Sequence, residues 1–231
     1  MSLLQLDHVS YGYADGNRKR TILNDLSYTF EKGKFYTILG PSGSGKTTLL
    51  SLIGALEKTQ EGKILFEGVT LEKIGFTKYR RNKQAIVFQQ FNLIPYLTAL
   101  ENVINVMEIT DNKIPKPFRK TALNLLDQFG IVETKAVRSI AQLSGGEQQR
   151  VAIARALATN VRLILADEPT GNLDTATEKE IVAIFKKLAD DYGCCVIVVT
   201  HSDDIAAMSD VKLRLSDGKL YEESVGDIAH G

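Results

Sequence analysis

The stretch that decides the fold is Gly40-Pro41-Ser42-Gly43-Ser44-Gly45-Lys46-Thr47-Thr48. It follows a short apolar run, residues 35–39, which predicts a buried strand. It precedes a second apolar run, residues 49–56, which predicts a helix. The spacing G-x-x-x-x-G-K-T between a strand and a helix is typical of a loop that binds phosphate.

Each residue type in this loop has a physical reason to be there. Glycines let the backbone N–H groups turn toward anionic oxygens, and the helix that follows adds the positive end of its dipole. Lys46 supplies a charge for the terminal phosphates, and Thr47 offers a hydroxyl to Mg²⁺. The alternative, a plain glycine-rich turn, is disfavoured because both the spacing and the context match.

The composition is that of an ordinary globular protein. The chain has 231 residues, 44% of them hydrophobic and 24% charged, which is enough to bury a substantial core. The formal net charge is zero, so no global field favours nucleic acid or anionic lipid. Two basic runs, residues 18–20 and 78–83, are short and predict solvated surface. We therefore expect no direct binding of nucleic acid.

The two cysteines indicate a reducing compartment. Cys194 and Cys195 are adjacent in an apolar run, and neighbours on a strand point to opposite faces, so a bridge between them would be strained. The sequence shows no secretory signal pattern and no apolar run near the ~18 residues that span a bilayer. We expect a cytoplasmic protein that reaches a membrane only through a partner.

The periodicity along the chain predicts an α/β fold. Residues 3–9 and 22–30 alternate as strands, with a polar loop between them that holds Tyr11, Tyr13 and Arg20. The connections are too short for parallel crossovers, so these strands should be antiparallel. Apolar runs at 62–68, 85–90, 161–166 and 196–199 predict further strands, and residues 97–109, 118–129, 146–158 and 175–189 predict helices. The later alternation of strands and helices favours a mainly parallel sheet.

We therefore expect one phosphate-loop domain over residues 1–231 with three parts. An antiparallel β part takes about residues 1–34 and 59–75. The core takes about 35–58, 76–91 and 159–231. A helical lobe is inserted over about 92–158.

Two acids follow the strand predicted at 161–166. The carboxyl ends of parallel strands line the ligand crevice, so Asp167 and Glu168 should face the phosphate loop. We expect Asp167 to hold Mg²⁺ and Glu168 to polarise the attacking water. Alone, this pair could equally be a salt bridge to a helix.

A second stretch of chemical interest is Leu143-Ser144-Gly145-Gly146-Glu147-Gln148-Gln149-Arg150. Ser144 with Glu147 forms the pattern of a capping box, which is the structural alternative. A cap explains those two residues but not the paired glycines. A helix start with bare glycine amides and a serine hydroxyl predicts an anion site.

Together these motifs resemble the ATP-binding-cassette (ABC) ATPases. The resemblance runs through the phosphate loop, residues 143–150, Asp-Glu-Pro-Thr-Gly-Asn-Leu-Asp at 167–174 and Thr200-His201, and covers about residues 3–220. Residues 87–95 and 97–103 further resemble the branch that drives lipoprotein release and the export of macrolides and antimicrobial peptides.

The resemblance implies an ATPase that binds ATP and Mg²⁺ as a head-to-tail homodimer. It implies that residues 144–146 contact the γ-phosphate held by the other copy, with Asp174 at the seam. Gln89 would reach Mg²⁺ and the attacking water, and His201 would hold the γ-phosphate. For His201, the alternative is a polar cap after a strand.

The base contact implied by the resemblance is an aromatic ring. Tyr13 would stack on adenine, with Tyr11 the less favoured choice. The structural alternative for Tyr13 is an exposed loop tyrosine.

The function implied is the ATPase subunit of a transporter, with Lys46, Gln89, Glu168 and His201 as its catalytic set. It would drive a separate transmembrane permease from the inner face of the cell membrane. A soluble ABC ATPase that remodels DNA or ribosomes is disfavoured, because the sequence has neither a long coiled-coil insertion nor a second cassette. An ATPase of a signalling or cell-division complex stays open. A GTPase or nucleotide kinase lacks support because no Asn-Lys-x-Asp motif is present.

The sequence departs from the family pattern at a few positions. Ser202 stands where an aspartate commonly follows the histidine, Glu147 replaces a common glutamine, and Ala85 replaces a usual glycine. None of these changes removes a group that the chemistry needs. The segment 103–138 is short for this branch, which leaves the transport system open, and the cargo would be selected by the permease.

Overall fold

A computed structural model describes residues 2–15 and 18–223 of the chain. Within them the strands are β1 Ser2–Asp15, β2 Arg18–Glu31, β3 Phe35–Leu39, β4 Glu61–Phe66, β5 Val69–Thr70, β6 Gln84–Phe88, β7 Leu163–Asp167, β8 Cys195–Val199, β9 Val211–Ser216 and β10 Lys219–Glu223. The helices are α1 Lys46–Ile53, α2 Leu71–Ile74, α3 Phe76–Asn82, α4 Ala99–Ile109, α5 Phe118–Gln128, α6 Glu133–Ala136, α7 Gly145–Ala158, α8 Thr175–Asp190 and α9 Asp203–Ala207, with a 3₁₀ turn at Ile140–Gln142.

The first sheet is antiparallel, in the order β2-β1-β4-β5, as predicted. The predicted loop between its first two strands is wrong, because β1 and β2 stay paired through Gly12↔Thr21 and Tyr13↔Arg20. Residues 16 and 17 of that predicted loop lie outside the described residues. As a result Tyr13 and Arg20 stand opposite each other on paired strands.

The second sheet has the order β10-β9-β3-β8-β7-β6. Its strands β9, β3, β8, β7 and β6 are parallel, as predicted, and β10 pairs antiparallel with β9. Strands β3 and β8 are buried along their whole length because the sheet is covered on both faces. The hairpin β9–β10 lies outside the predicted strands.

The long helices of the lobe match their predicted ranges to within two residues, and α8 ends one residue beyond its prediction. The first helix does not match. It begins at Lys46, three residues before the prediction, because the left-handed Gly45 (φ 102°) ends the loop and its carbonyl accepts from the Leu49 amide at 2.8 Å. Lys46 and Thr47 therefore belong to the first turn of α1.

Apolar residues form two clusters, one on each face of the parallel sheet. One packs the sheet against the helical lobe and α8, and includes Cys194. The other packs it against the antiparallel sheet and α1, and includes Cys195. The two thiols are buried and free on opposite faces, and burial raises the pKa of Cys194 to about 11. In the part of the chain that the structure describes, no helix combines the length and apolarity needed to cross a bilayer.

Candidate active site

The site lies where three neighbouring strands end. The phosphate loop follows β3, Thr200-His201 follows β8, and Asp167-Glu168 closes β7, and these strands are adjacent in the order β3-β8-β7. Their carboxyl ends open into a cleft of about 650 Å³. The described lining consists of Tyr13, Arg20, Ile22, Ser42, Gly43, Gly45, Lys46, Thr47, Thr48, Glu168 and His201.

Two glycines of the loop are required by close packing. A Cβ at Gly40 would lie 2.6 Å from the Leu215 carbonyl oxygen and 2.7 Å from Ser44 Oγ. A Cβ at Gly45 would lie 2.7 Å from Ile22 Cγ2 and would also be strained by the positive φ. The loop is therefore pressed against β9 and β2, and its shape is set before any ligand arrives.

Two buried polar groups of the loop, on Lys46 and Ser44, have no acidic hydrogen-bond partner among the described residues. Lys46 is buried (9% exposed), and its Nζ donates to the carbonyls of Gly40 at 2.6 Å and Pro41 at 3.1 Å. Ser44 Oγ is buried and has no hydrogen-bond partner among the described residues. A buried cation held by neutral carbonyls beside an unpartnered hydroxyl fits a loop that receives an anion.

Thr47 lines the cleft and contacts Asp167, which lies outside the described lining. Thr47 Oγ1 donates to Asp167 Oδ1 at 3.4 Å. Burial raises the pKa of Asp167, and the charge of Glu168 raises it further, while Thr47 and Lys46 act in the opposite direction. A hydroxyl and a carboxylate beside a phosphate loop are the oxygen donors that Mg²⁺ prefers, so the residues present fit this ion.

Glu168 and His201 meet at the rim of the cleft. His201 Nδ1 lies 3.0 Å from Glu168 Oε2, with the histidine side chain 75% exposed and the glutamate 22% exposed. Glu168 has a left-handed backbone (φ 45°), and its N–H donates to the Val199 carbonyl at 2.9 Å. For a residue other than glycine this conformation costs about 1 kcal/mol or more, and such strain is common at functional sites.

Gln89 lies outside the described lining of the cleft. It follows the end of β6, where Phe88 pairs with Asp167. Its Nε2 donates to Asn172 Oδ1 at 3.5 Å, and Asn172 Nδ2 donates back to the Gln89 carbonyl at 3.4 Å. The side chain thus contacts the segment after Glu168, and its proposed contacts with Mg²⁺ and water stay predictions.

Residues 144–146 begin α7 and are absent from the described lining of the cleft. The capping box is present: Ser144 Oγ accepts from the Glu147 amide at 3.3 Å, and the Ser144 amide donates to Glu147 Oε2 at 2.9 Å. Lys135 donates to Glu147 Oε1 at 2.5 Å, and this bond, with that from Ser144, lowers the pKa of Glu147. The Ser144 hydroxyl accepts in the cap and keeps its own proton for another partner.

Asp174 has a local structural role that was not predicted from the sequence. It caps α8, accepting from the amides of Ala176 at 3.1 Å and Thr177 at 3.0 Å. The Thr177 hydroxyl also donates to it at 2.7 Å, and these bonds lower the pKa of Asp174. These contacts lie within one chain and do not test the predicted position of Asp174 at a dimer seam, which stays a prediction.

The two candidate tyrosines differ in exposure. Tyr13 is 49% exposed and lines the cleft, whereas Tyr11 is 8% exposed and belongs to the core. Their rings meet edge to face with centroids 5.2 Å apart. The stacking of Tyr13 on adenine stays a prediction, and the expectation that Tyr13 sits in a loop is wrong.

Arg20 is a lining residue that the sequence analysis treats as solvated surface. It stands opposite Tyr13 in the β1–β2 register and lines the same cleft, together with Ile22. If the second strand had been predicted to begin at residue 20 or earlier, Arg20 would have been expected on a strand beside the cleft.

Known proteins are similar to this chain in both sequence and fold. The ABC transporter family matches residues 23–171. The uncharacterized ABC transporter ATP-binding protein YclH of Bacillus subtilis is 50% identical over 220 residues, 95% of this chain and 96% of that protein. The lipoprotein-releasing system ATP-binding protein LolD of Francisella tularensis is 40% identical over 221 residues, 94% of this chain and 95% of that protein.

A solved structure agrees with these relatives. It is the dimeric structure of a post-hydrolysis state of the ATP-binding cassette MJ0796, a protein of Methanocaldococcus jannaschii, bound to ADP and Pi. It superposes with a TM-score of 0.85 at 41% identity, covering 96% of this chain and 98% of that one.

Proposed function

The chain belongs to the ABC transporter family as an ATP-binding, ATP-hydrolysing subunit, and we propose that the cleft at the ends of β3, β8 and β7 is where it hydrolyses ATP. The observation that carries this assignment is the convergence of Lys46, Thr47 with Asp167, and Glu168 with His201 around one cleft. The resemblance and the fold class stated from the sequence are confirmed. The proposed roles of single residues rest on the geometry given above.

In this proposal the loop amides and Lys46 bind the β- and γ-phosphates of ATP, and Tyr13 stacks on adenine. Thr47 and Asp167 hold Mg²⁺, which supplies positive charge beside the phosphates. Glu168 accepts the proton of the water that attacks the γ-phosphorus, and the bond between that phosphorus and the β–γ bridging oxygen breaks. Loop N–H groups and Lys46 stabilise the charge that develops on the transferred group.

We propose a homodimer that forms on ATP. Gly145 and Gly146 offer the backbone amides of a helix start, and Ser144 offers its hydroxyl proton. Residues 144–146 do not belong to the described lining of the cleft of their own chain, which supports a role at the cleft of a second copy. Asp174 would then lie at the seam, and Gln89 would approach the shared nucleotide. Loss of the γ-phosphate removes the group that the two copies share, so the pair opens after hydrolysis.

We also propose a permease contact, at a groove of about 440 Å³ between α3, β6, α4 and α7. Its floor includes Ile86 and Val106, and its rim carries Arg81 and the 57% exposed Ile109. Its Arg155 donates to the backbone carbonyls of residues 91 and 92, and burial lowers the pKa of this guanidinium. An apolar permease segment would fit this groove.

This contact would link the permease to the segment that follows Gln89. It would place the chain on the inner face of the cell membrane. We also propose that the chain is one domain with the three parts predicted from the sequence. Ile109→Asp should abolish co-purification of a membrane permease with the tagged chain and leave hydrolysis by the isolated chain unchanged. A signalling complex of the same family would retain the same ATPase and the same groove. If a membrane protein co-purifies with the chain but the complex transports no cargo, the signalling complex is favoured.

Phosphate release by the purified chain tests the site. Hydrolysis should require Mg²⁺ and should fall to background in Lys46→Ala, with a smaller loss of nucleotide affinity, because the loop amides remain. Lys113→Ala removes an exposed lysine on another part of the surface and serves as the matched control. Wild-type turnover in Lys46→Ala would overturn the assignment of the loop.

A further inference from the structure

A carboxylate that does not line the cleft contacts the segments that carry both Glu168 and His201. It belongs to Glu178, near the start of α8. Its Oε1 accepts from Thr170 Oγ1 at 3.4 Å and from Ser202 Oγ at 3.1 Å. Thr170 comes two residues after Glu168, and Ser202 directly follows His201.

These contacts close a ring. Glu168 and His201 meet at one side, and Thr170 and Ser202 meet on Glu178 at the other. Because both hydroxyls donate to the same oxygen, one side chain sets the spacing of the two segments. Thr170 is buried (7% exposed), so its hydroxyl would lose a needed acceptor if the carboxylate were removed.

Ser202 connects Glu178 to the start of α9. The Ser202 hydroxyl caps α9 by accepting a hydrogen bond from the Ile205 amide at 3.4 Å, and it donates a hydrogen bond to Glu178. Ser202 thereby ties the segment after His201 to α8.

We propose that Glu178 is a positioning residue for ATP hydrolysis, which holds the segments of Glu168 and His201 at the spacing where these side chains meet. The inference rests on the roles proposed for those two residues. It assigns Glu178 no contact with ATP or with the attacking water. A purely structural tie would affect unfolding without changing turnover by the folded protein.

Three variants test the proposal. Glu178→Ala removes the oxygen that accepts both hydrogen bonds, and Glu178→Gln keeps one acceptor oxygen and the volume. Glu180→Gln makes the same chemical change two residues away, where the carboxylate pairs with Arg150. We expect Glu178→Ala to lower kcat by roughly tenfold or more, within the ~100-fold that a displaced group can cost, with KM for ATP within about twofold. Glu178→Gln and Glu180→Gln should both stay within about threefold of wild-type kcat.

A second readout does not depend on turnover. The chain has three histidines, so the ring signals of His201 can be assigned by NMR against a His201→Gln spectrum. These signals should move in nucleotide-free Glu178→Ala and stay in place in Glu178→Gln. If kcat and the His201 signals of folded Glu178→Ala match the wild type, the proposal is wrong. If the wild type does not hydrolyse ATP, the proposed function fails, while the NMR comparison still decides the role of Glu178.

Discussion

Thr47 and Asp167, which are 120 residues apart in the chain, place a hydroxyl and a carboxylate oxygen 3.4 Å apart, next to the Thr47 wall of the cleft. The contact joins the first turn of α1 to the end of β7. It brings the two oxygen donors proposed for Mg²⁺ together before nucleotide is bound.

Asp167→Asn should therefore weaken the use of Mg²⁺ more than the binding of ATP. The amide keeps an oxygen near Thr47 but removes the negative charge that favours a divalent cation. We expect the Mg²⁺ concentration for half-maximal hydrolysis to rise by roughly tenfold or more. The measurement is phosphate release across a Mg²⁺ titration, with Asp191→Asn at the exposed end of α8 as control. An unchanged Mg²⁺ curve would contradict the assignment.

Tyr13→Ala should weaken ATP binding by roughly 1–3 kcal/mol, the scale of one base stacked on an aromatic ring. Stacking is open to every base, so GTP should also be hydrolysed to some degree. Nucleotide titration by fluorescence or calorimetry measures the loss. Because Tyr11 is buried, Tyr11→Ala should lower stability first. If Tyr11→Ala abolishes binding in the folded protein and Tyr13→Ala does not, the base contact belongs to Tyr11.

Glu168→Gln should trap an ATP-bound dimer. The amide keeps the shape of the side chain but cannot accept a proton, and losing a general base costs about 10²–10⁴-fold in rate. It also removes one negative charge from each shared site. We expect a monomer without nucleotide and a dimer with ATP by light scattering.

Adding Ser144→Arg tests where the two copies meet. The bulky side chain would stand at the start of α7, so the double variant should bind ATP and remain monomeric. A dimer of the double variant, or a monomer of Glu168→Gln at saturating ATP, would contradict the shared site.

Glu147→Gln should destabilise the fold in a pH-dependent way. The native pKa of Glu147 is lowered, so its charged form stabilises the fold above the unfolded pKa of about 4.5, and this contribution disappears as the pH falls toward the native value. We expect the variant to lose about 1 kcal/mol at pH 7 and a clearly smaller amount at about pH 3, below the unfolded pKa. Urea unfolding at both values measures this. Glu133→Gln, in an exposed pair with Arg119, is the control, and an equal loss at both pH values would contradict the charge effect.

The elements that the sequence predicts well are those whose burial follows a simple period. Helix α8 and strand β8 each differ from their predicted ranges by a single residue at one end. The hairpin β9–β10 was harder to predict because β10 is mostly exposed and polar. Its turn nevertheless carries a signal: Asp217 (φ 51°) and Gly218 (φ 72°) form the Asp-Gly pair typical of a two-residue hairpin.

The candidate site was predictable where one motif holds the chemistry and less so where distant segments meet. The phosphate loop and the acids at the end of β7 follow from spacing and strand ends. The contact of His201 with Glu168, and of both segments with Glu178, depends on how β7, β8 and α8 pack. No local pattern encodes such a distance, so tertiary structure was needed.

Gly146 has no room for a side chain, because Thr177 packs against it. A Cβ there would lie 2.6 Å from Thr177 Cγ2, in the first turn of α8. The methyl group of Thr177 thus occupies the space that any larger residue at position 146 would need. In the evolution of close relatives, these two positions should change together: an alanine or serine at 146 becomes acceptable only where residue 177 has become smaller.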